Sequence, residues 1–359
     1  MNHRYKVSGR ALIALALAVT FIAAIGALIA GSAAATTAAR QPLDATAESD
    51  QGYLPAVQRA QPTLTPTVPA PTATPDALWL QQVNAFRQGS GLPPVTENAS
   101  WSHGAWLHSR YMVMEDDVSH SEDPASPWYT TEGDLAGQNG NIAVSSSSRA
   151  PDLFAIELWM AGPFHAVAVV DPQLQQSGFG SFREATGLWQ MGATLDVYRG
   201  LGPVPPGTTF PVLYPGADGT TWLTSHRYFE WPDPLASCPG YTRPTGPPVI
   251  IQLGDGSGTP AVTEHAFLEG ETALEHCVFD ETTYTHPTDG TQQSVGRQVL
   301  NTRDAVVLLP RHPLIEGHSY TASITADGIT YRWNFTVVPR PAAAIQAAFP
   351  PAPAGAEAR

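Results

Sequence analysis

Trp101 to His120 reads W-S-H-G-A-W-L-H-S-R-Y-M-V-M-E-D-D-V-S-H, and Pro151 to His165 reads P-D-L-F-A-I-E-L-W-M-A-G-P-F-H. Between them runs a polar, glycine-containing stretch that ends G-Q-N-G-N-I-A at Ala143. Trp101, Ala105, His108 and Met112 fall on one helical stripe, with Leu107, Tyr111 and Met114 beside it. The stripe directs His108 toward a core and leaves His103 exposed. A cap at Thr96 or Asn98 opens this helix, and Glu115-Asp116-Asp117 ends its apolar pattern. A loop to about Gly140 is expected next. Pro151-Asp152 then starts a further helix carrying Leu153, Ile156 and Met160, with Trp159 adjacent, and Gly162-Pro163 breaks it. His120 and His165 thus each close a helical run at a loop, where scaffolds present side chains to a cleft.

Working outward, Asp76 caps an upstream helix with Trp79, Val83 and Phe86 on one face, stopped by Gly89-Ser90-Gly91. Downstream, Ser177 to Phe182 and Leu188 to Tyr198 read as strands. Helices first and strands last indicate an α+β domain rather than a doubly wound sheet. After Gly200 the reading changes to short strands between Pro/Gly turns, from Phe210 to Tyr214, Val249 to Leu253, Val262 to Leu268, Val278 to Phe279, Ala305 to Leu309, Tyr320 to Thr325 and Ile329 to Val337. Asp327-Gly328 joins the last two as a hairpin. No helix is expected there, and the pattern suggests an all-β sandwich.

The 359 residues leave room for two domains and tails. Arg4, Lys6 and Arg10 precede an apolar run from Ala11 to Ala30 and then small residues to Ala39, an export signal. Because the run is roughly 20 residues long, a cleaved signal peptide and a retained membrane anchor are both compatible with it. Either places the remainder outside the membrane. Residues 40–75, rich in Pro and Thr, cannot bury a core and favour an extended spacer, on the order of 100 Å when fully drawn out. The organisation expected is therefore a signal or anchor at 1–39, a linker at 40–75, a first domain at 76–200, a β domain at 203–339 and a disordered tail at 340–359.

A formal charge of −14 without any basic cluster excludes nucleic acid as a partner, since the counterion-release contribution is missing. Two cysteines, Cys238 and Cys277, share the β domain, and in an oxidising compartment they are expected to form one disulfide; two buried thiols are the alternative.

The pieces N-A-F-R-Q-G-S-G-L-P-P-V, A-W-L-H-S-R-Y-M with V-S-H after it, G-N-I-A, L-W-M-A-G-P-F-H, S-G-F-G and L-W-Q-M follow one another between Asp76 and Arg199. In that order they resemble the CAP superfamily of cysteine-rich secretory, antigen 5 and pathogenesis-related proteins, in its bacterial SCP-like extracellular branch. The resemblance implies an α-β-α sandwich with a cleft lined by two histidines and two glutamates, sometimes holding a divalent metal. His120 takes the first histidine position and His165 the second. The glutamates do not carry over: Gly140 stands where one is expected, flanked by Asn139 and Asn141, and the other position falls near Gly162, with Glu157 two residues before Trp159. V-V-L-L-P-R-H-P-L-I-E-G-H-S-Y-T-A-S-I-T and Y-R-W-N-F-T-V resemble bacterial Ig-like modules.

The candidate cleft is thus His120, His165, Asn139, Asn141 and Glu157, with His120 and His165 the candidate pair for a divalent metal, though zinc normally needs three protein ligands. The plainer readings are a helix-capping role for His120 and a solvated face for Glu115, Asp116, Asp117, Glu122 and Asp123. Ser119 and Ser121 flank His120 without an orienting acid, Ser145 to Ser148 read as a flexible loop, and G-x-S-x-G is absent. Three functions remain open at this point. The first is a non-catalytic surface protein binding a small molecule, lipid, cell-wall component or protein partner. The others are a histidine- or metal-dependent hydrolase of peptides or cell-wall material, and a structural or adhesive protein with a vestigial cleft.

Overall fold

A computed structural model describes residues 77–341. The export segment, the spacer, Asp76 and the tail after residue 341 lie outside the described residues. The elements fall into two groups, α1 to β5 and β6 to β14.

Helix α1 (Leu78–Gly89) buries Trp79, Val83 and Phe86, as its spacing predicts. After β1 (Thr96–Glu97), Asn98 caps α2 (Ala99–Met114), its side chain accepting from the Ser100 and Trp101 amides. Helix α3 (Thr131–Gln138) lies within the stretch expected to be loop, and Thr130 caps it. Strand β2 (Gly140–Ser145), α4 (Asp152–Ala161), α5 (Pro163–Val169), β3 (Gln176–Ser177), β4 (Phe179–Arg183) and β5 (Met191–Asp196) follow. The strands form an antiparallel β2-β5-β4 sheet, with β1 and β3 paired in parallel beside it.

Alternation along the strands sets the two helical layers. Gly180 faces α2, where a Cβ would meet the Trp106 backbone nitrogen at 2.1 Å, so only glycine lets the helix approach the sheet this closely. Phe179 faces the opposite way, against Trp79 of α1 and Trp159 of α4. The result is an α-β-α sandwich, with α2 and α3 on one face and α1, α4 and α5 on the other.

The second group is a pair of sheets. One runs β10-β9-β13-β14-β7 (Thr272–Ala273, Val262–Glu269, Ser319–Ala326, Ile329–Val337, Gly219–Thr221) and the other β11-β12-β8-β6 (His276–Phe279, Ala305–Pro310, Val249–Gln252, Val212–Tyr214). Asp327 and Gly328 both take positive φ at the β13–β14 hairpin, the conformation a two-residue primed turn requires. Cys238 and Cys277 are bonded to each other. The short strands β7 and β10 escaped the sequence reading. So did α6 (Gly290–Asn301), which Asp289 caps.

Strands β8 and β12 explain how the groups join. Every residue of V-I-I-Q and A-V-V-L-L-P is buried, so these strands have no solvent face. Val249, Ile251, Val306 and Leu308 fill the space between the two sheets with Phe267, Tyr320, Trp333 and Phe335. Their alternates Ile250, Val307 and Leu309 belong instead to the core containing Trp159, Phe164 and Leu174 of the first group. One hydrophobic core therefore crosses the boundary. Polar contacts reinforce it: Arg303 pairs with Asp171 at 2.7 Å, and Gln252 donates to the Val170 carbonyl.

Among the described residues no single helix is long and apolar enough to cross a membrane. The α4–α5 pair has the composition but bends by 107° and lies in the core.

Candidate functional site

His108 is fully buried on the inner stripe of α2. Its Nδ1 lies 3.1 Å from the Glu122 carboxylate and its Nε2 is 2.8 Å from the Ser119 carbonyl, so both ring nitrogens face acceptors. Glu122 is buried and also accepts from the Thr130 amide, which corrects its assignment to a solvated acidic face. The same pair explains why α3 escaped notice. Its Gly133 and Gly137 sit where a Cβ would strike the Glu122 carboxylate and the His108 ring at 2.3 Å, so the helix carries glycines against its own propensity.

His120 sits in the loop after α2, as expected, and its Nδ1 donates to the Gly137 carbonyl at 2.8 Å. The neutral ring then presents Nε2 as an acceptor. The residue is half-buried, and burial drives the pKa of its ring down to about 4; the Gly137 carbonyl opposes this and nearby His108 and His165 add to it. Since the folded value lies below the free imidazole's, the unfolded chain binds the proton first. The contribution is intact above about pH 6.5 and disappears as pH falls toward 4. Between about pH 7.5 and pH 5, wild type is expected to lose on the order of 1–2 kcal/mol more stability than His120→Gln, measured by denaturant unfolding. Parallel losses would show that this imidazole is solvated.

His165 occupies the first turn of α5 rather than a loop, because Gly162-Pro163 ends one helix and starts another at once. Proline suits that first position, where its missing N–H leaves no bond unmade. His165 is near enough to His120 for its charge to help lower the His120 pKa. Asn141 donates to the His165 carbonyl at 3.2 Å.

Two expected site residues are engaged by partners other than the histidines. Asn139 is the C-cap of α3 and its amide donates to the Leu135 carbonyl on the surface. Glu157 is engaged as well. It accepts from Trp222 Nε1 at 2.7 Å and forms a two-pronged pair with Arg340 at 2.8 and 2.7 Å, tying the two groups of elements together. Arg340, read as the first residue of a disordered tail, is thereby held in place.

An acid that the sequence reading missed takes up the position beside His165. Glu230, from the segment between β7 and β8, places Oε1 2.7 Å from His165 Nδ1 and 3.1 Å from its backbone nitrogen. It is buried, and its Oε2 meets no hydrogen-bond donor. The two partners are 65 positions apart, and Y-F-E-W has no feature separating this glutamate from a surface one.

The donor set does not suit a metal. Two imidazoles fall short of the three protein ligands zinc normally requires, and no group of three or more His, Cys, Asp or Glu among the described residues is arranged to hold one. No side chain fits at Gly140 either, where a Cβ would lie 2.8 Å from the Ala136 carbonyl and 2.9 Å from Thr194 Cγ2. Hydrolytic parts are equally sparse. Ser119 Oγ accepts from the Ser121 amide and approaches Ser121 Oγ, without an imidazole among its hydrogen-bond partners. A surface hollow lined by Pro93, Pro94, Leu174, Pro203, Pro205 and Pro206 has no titratable lining and lies apart from these residues.

Residues 80–188 match the family model described as CAP, the cysteine-rich secretory protein family. No curated protein matches the chain.

Proposed function

We propose, for a chain whose residues 80–188 form a CAP domain of the cysteine-rich secretory protein family, an exported, non-catalytic binding role centred on His120 and His165. The observation carrying this reading is that Nδ1 of each imidazole is engaged by an acceptor of the protein, Gly137 for one and Glu230 for the other. In their neutral forms both rings then offer Nε2 lone pairs. Such a site recognises a ligand that donates hydrogen bonds, through hydroxyl, amide or ammonium groups as in cell-wall glycans, lipid headgroups or peptides. A His120 with a pKa of about 4 is poorly matched to general-base work near neutral pH, which favours binding over hydrolysis. Export and surface presentation rest on the apolar N-terminal run, the spacer and the Cys238–Cys277 disulfide.

The test is to titrate the full chain with isolated peptidoglycan, phospholipid vesicles and a peptide library beside a His120→Ala, His165→Ala double variant. At least one probe should bind, with the variant weaker by about tenfold or more, near 1.4 kcal/mol. Equal affinities for every probe would remove the site, and turnover of any probe by wild type would replace binding with hydrolysis.

A further inference from the structure

We infer that the β-rich second group is a working part of this site. Glu230 acts as a positioning residue that sets the ring orientation and tautomer of His165 from across the interface, and Gly162 is kept bare to admit its carboxylate.

Three observations carry the inference. First, the Nδ1 and the backbone N–H of His165 converge on a single Glu230 oxygen, at 2.7 and 3.1 Å. A carboxylate that accepts the hydrogen bond from Nδ1–H leaves Nε2 as the ring's acceptor and fixes the plane of the ring.

Second, Gly162 has φ −104° and ψ 125°, ordinary extended backbone open to any residue, so its glycine is not required for conformation. Space is the reason. A Cβ there would lie 2.7 Å from Glu230 Cδ and Oε1 and 2.8 Å from Oε2. The carboxylate therefore fills the volume that a side chain on the helix break would take, and the acid expected near position 162 arrives instead from another part of the chain.

Third, Glu230 is only 4% exposed and its segment is firmly anchored. Nearby Asp233 is held by Arg243 at 2.6 Å, by Gln292 on its amide and by the Tyr284 hydroxyl on its carbonyl, while the disulfide ties Cys238 to β11. A buried carboxylate with one oxygen lacking a donor is costly unless its other contacts are well made. Here those contacts are to His165. The second group is thus more than a spacer: undocking it would release the imidazole.

The inference concerns the site named above but does not depend on ligand binding, because its readout is the imidazole itself. Failure of every ligand titration would leave it standing, and loss of the tautomer signature would leave a binding site intact. The experiment is nitrogen NMR of the full chain with 15N-labelled histidine at about pH 8.5, where free imidazole is neutral. Wild type, Glu230→Gln, Glu230→Ala and Gly162→Ala are compared. His165 should show a single Nδ1–H form in wild type and in Glu230→Gln, whose amide oxygen still accepts. Glu230→Ala and Gly162→Ala should both lose that signature and show the mixed form of an unconstrained ring, while His120 stays unchanged. A mixed or Nε2–H form in wild type would overturn the proposal, as would a signature unaffected by Gly162→Ala. Should Glu230→Ala fail to fold, Gly162→Ala and Glu230→Gln decide, since one displaces the carboxylate and the other preserves its contact.

Discussion

Replacing Asp171 with alanine is expected to cost about 3–5 kcal/mol of stability, the range for removing one partner of a buried ion pair. Asp171 and Arg303 are both almost completely buried, one just after α5 in the first group of elements and the other in the second. The carboxylate also accepts from the Gln173 amide at 2.7 Å. A second cation depends on it: Arg87, fully buried, donates to the carbonyls of Pro93, Val169, Asp171 and Leu174. Burial lowers the Arg87 pKa to about 10, and the Asp171 charge opposes that fall. Alanine would leave two guanidiniums in a low-dielectric environment without the anion that balances them. Denaturant unfolding should show the lower midpoint. Because the hydrophobic core spans both groups, wild type should unfold in a single transition by every probe. A loss below about 1 kcal/mol would mean that this interface is hydrated and the two groups are only loosely docked.

Trp159→Ala should do comparable damage, about 3–5 kcal/mol. The indole is fully buried in the last turn of α4, packs edge-on against Phe179, and donates from Nε1 to the Ile142 carbonyl at 3.0 Å. Alanine opens a large cavity and leaves a strand carbonyl without its donor. Trp159→Phe separates the two effects: it retains most of the packing and should cost about 1–3 kcal/mol, the penalty for the orphaned acceptor. The substitution also bears on the site, since Ile142 adjoins Asn141, which holds the His165 carbonyl. Equal midpoints for Trp159→Ala and Trp159→Phe would show that the cavity collapses freely and that the helix is not rigidly seated.

Much of the first group was legible because its signals are local. Helix α2 carried a capping asparagine, an apolar stripe and an acidic stop, and Asn98 and Met114 bound it accordingly. The apolar runs at Val249 and Ala305 announced strands, and Asp327-Gly328 announced a hairpin. Helix α3 was illegible because its glycines answer to the His108–Glu122 pair rather than to helix propensity. Helix α6 went unread although Asp289 caps it and Val295 and Val299 recur one helical turn apart, with Leu300 beside them. His120 and His165 were proposed through family resemblance and bond to Gly137 and Glu230, while Asn139 and Glu157 bond to other partners.

The capped helix α2, the apolar strand runs at Val249 and Ala305 and the candidate pairing of two cysteines were legible in the chain itself, since each rests on neighbours a few positions away or on residue type alone. Which carboxylate stands beside His165 was decided only on folding. That choice depends on burying both faces of β8 and β12, which brings a distant loop against a glycine at a helix break. No local pattern encodes such an approach, because the energy that enforces it is shared across the whole hydrophobic interface.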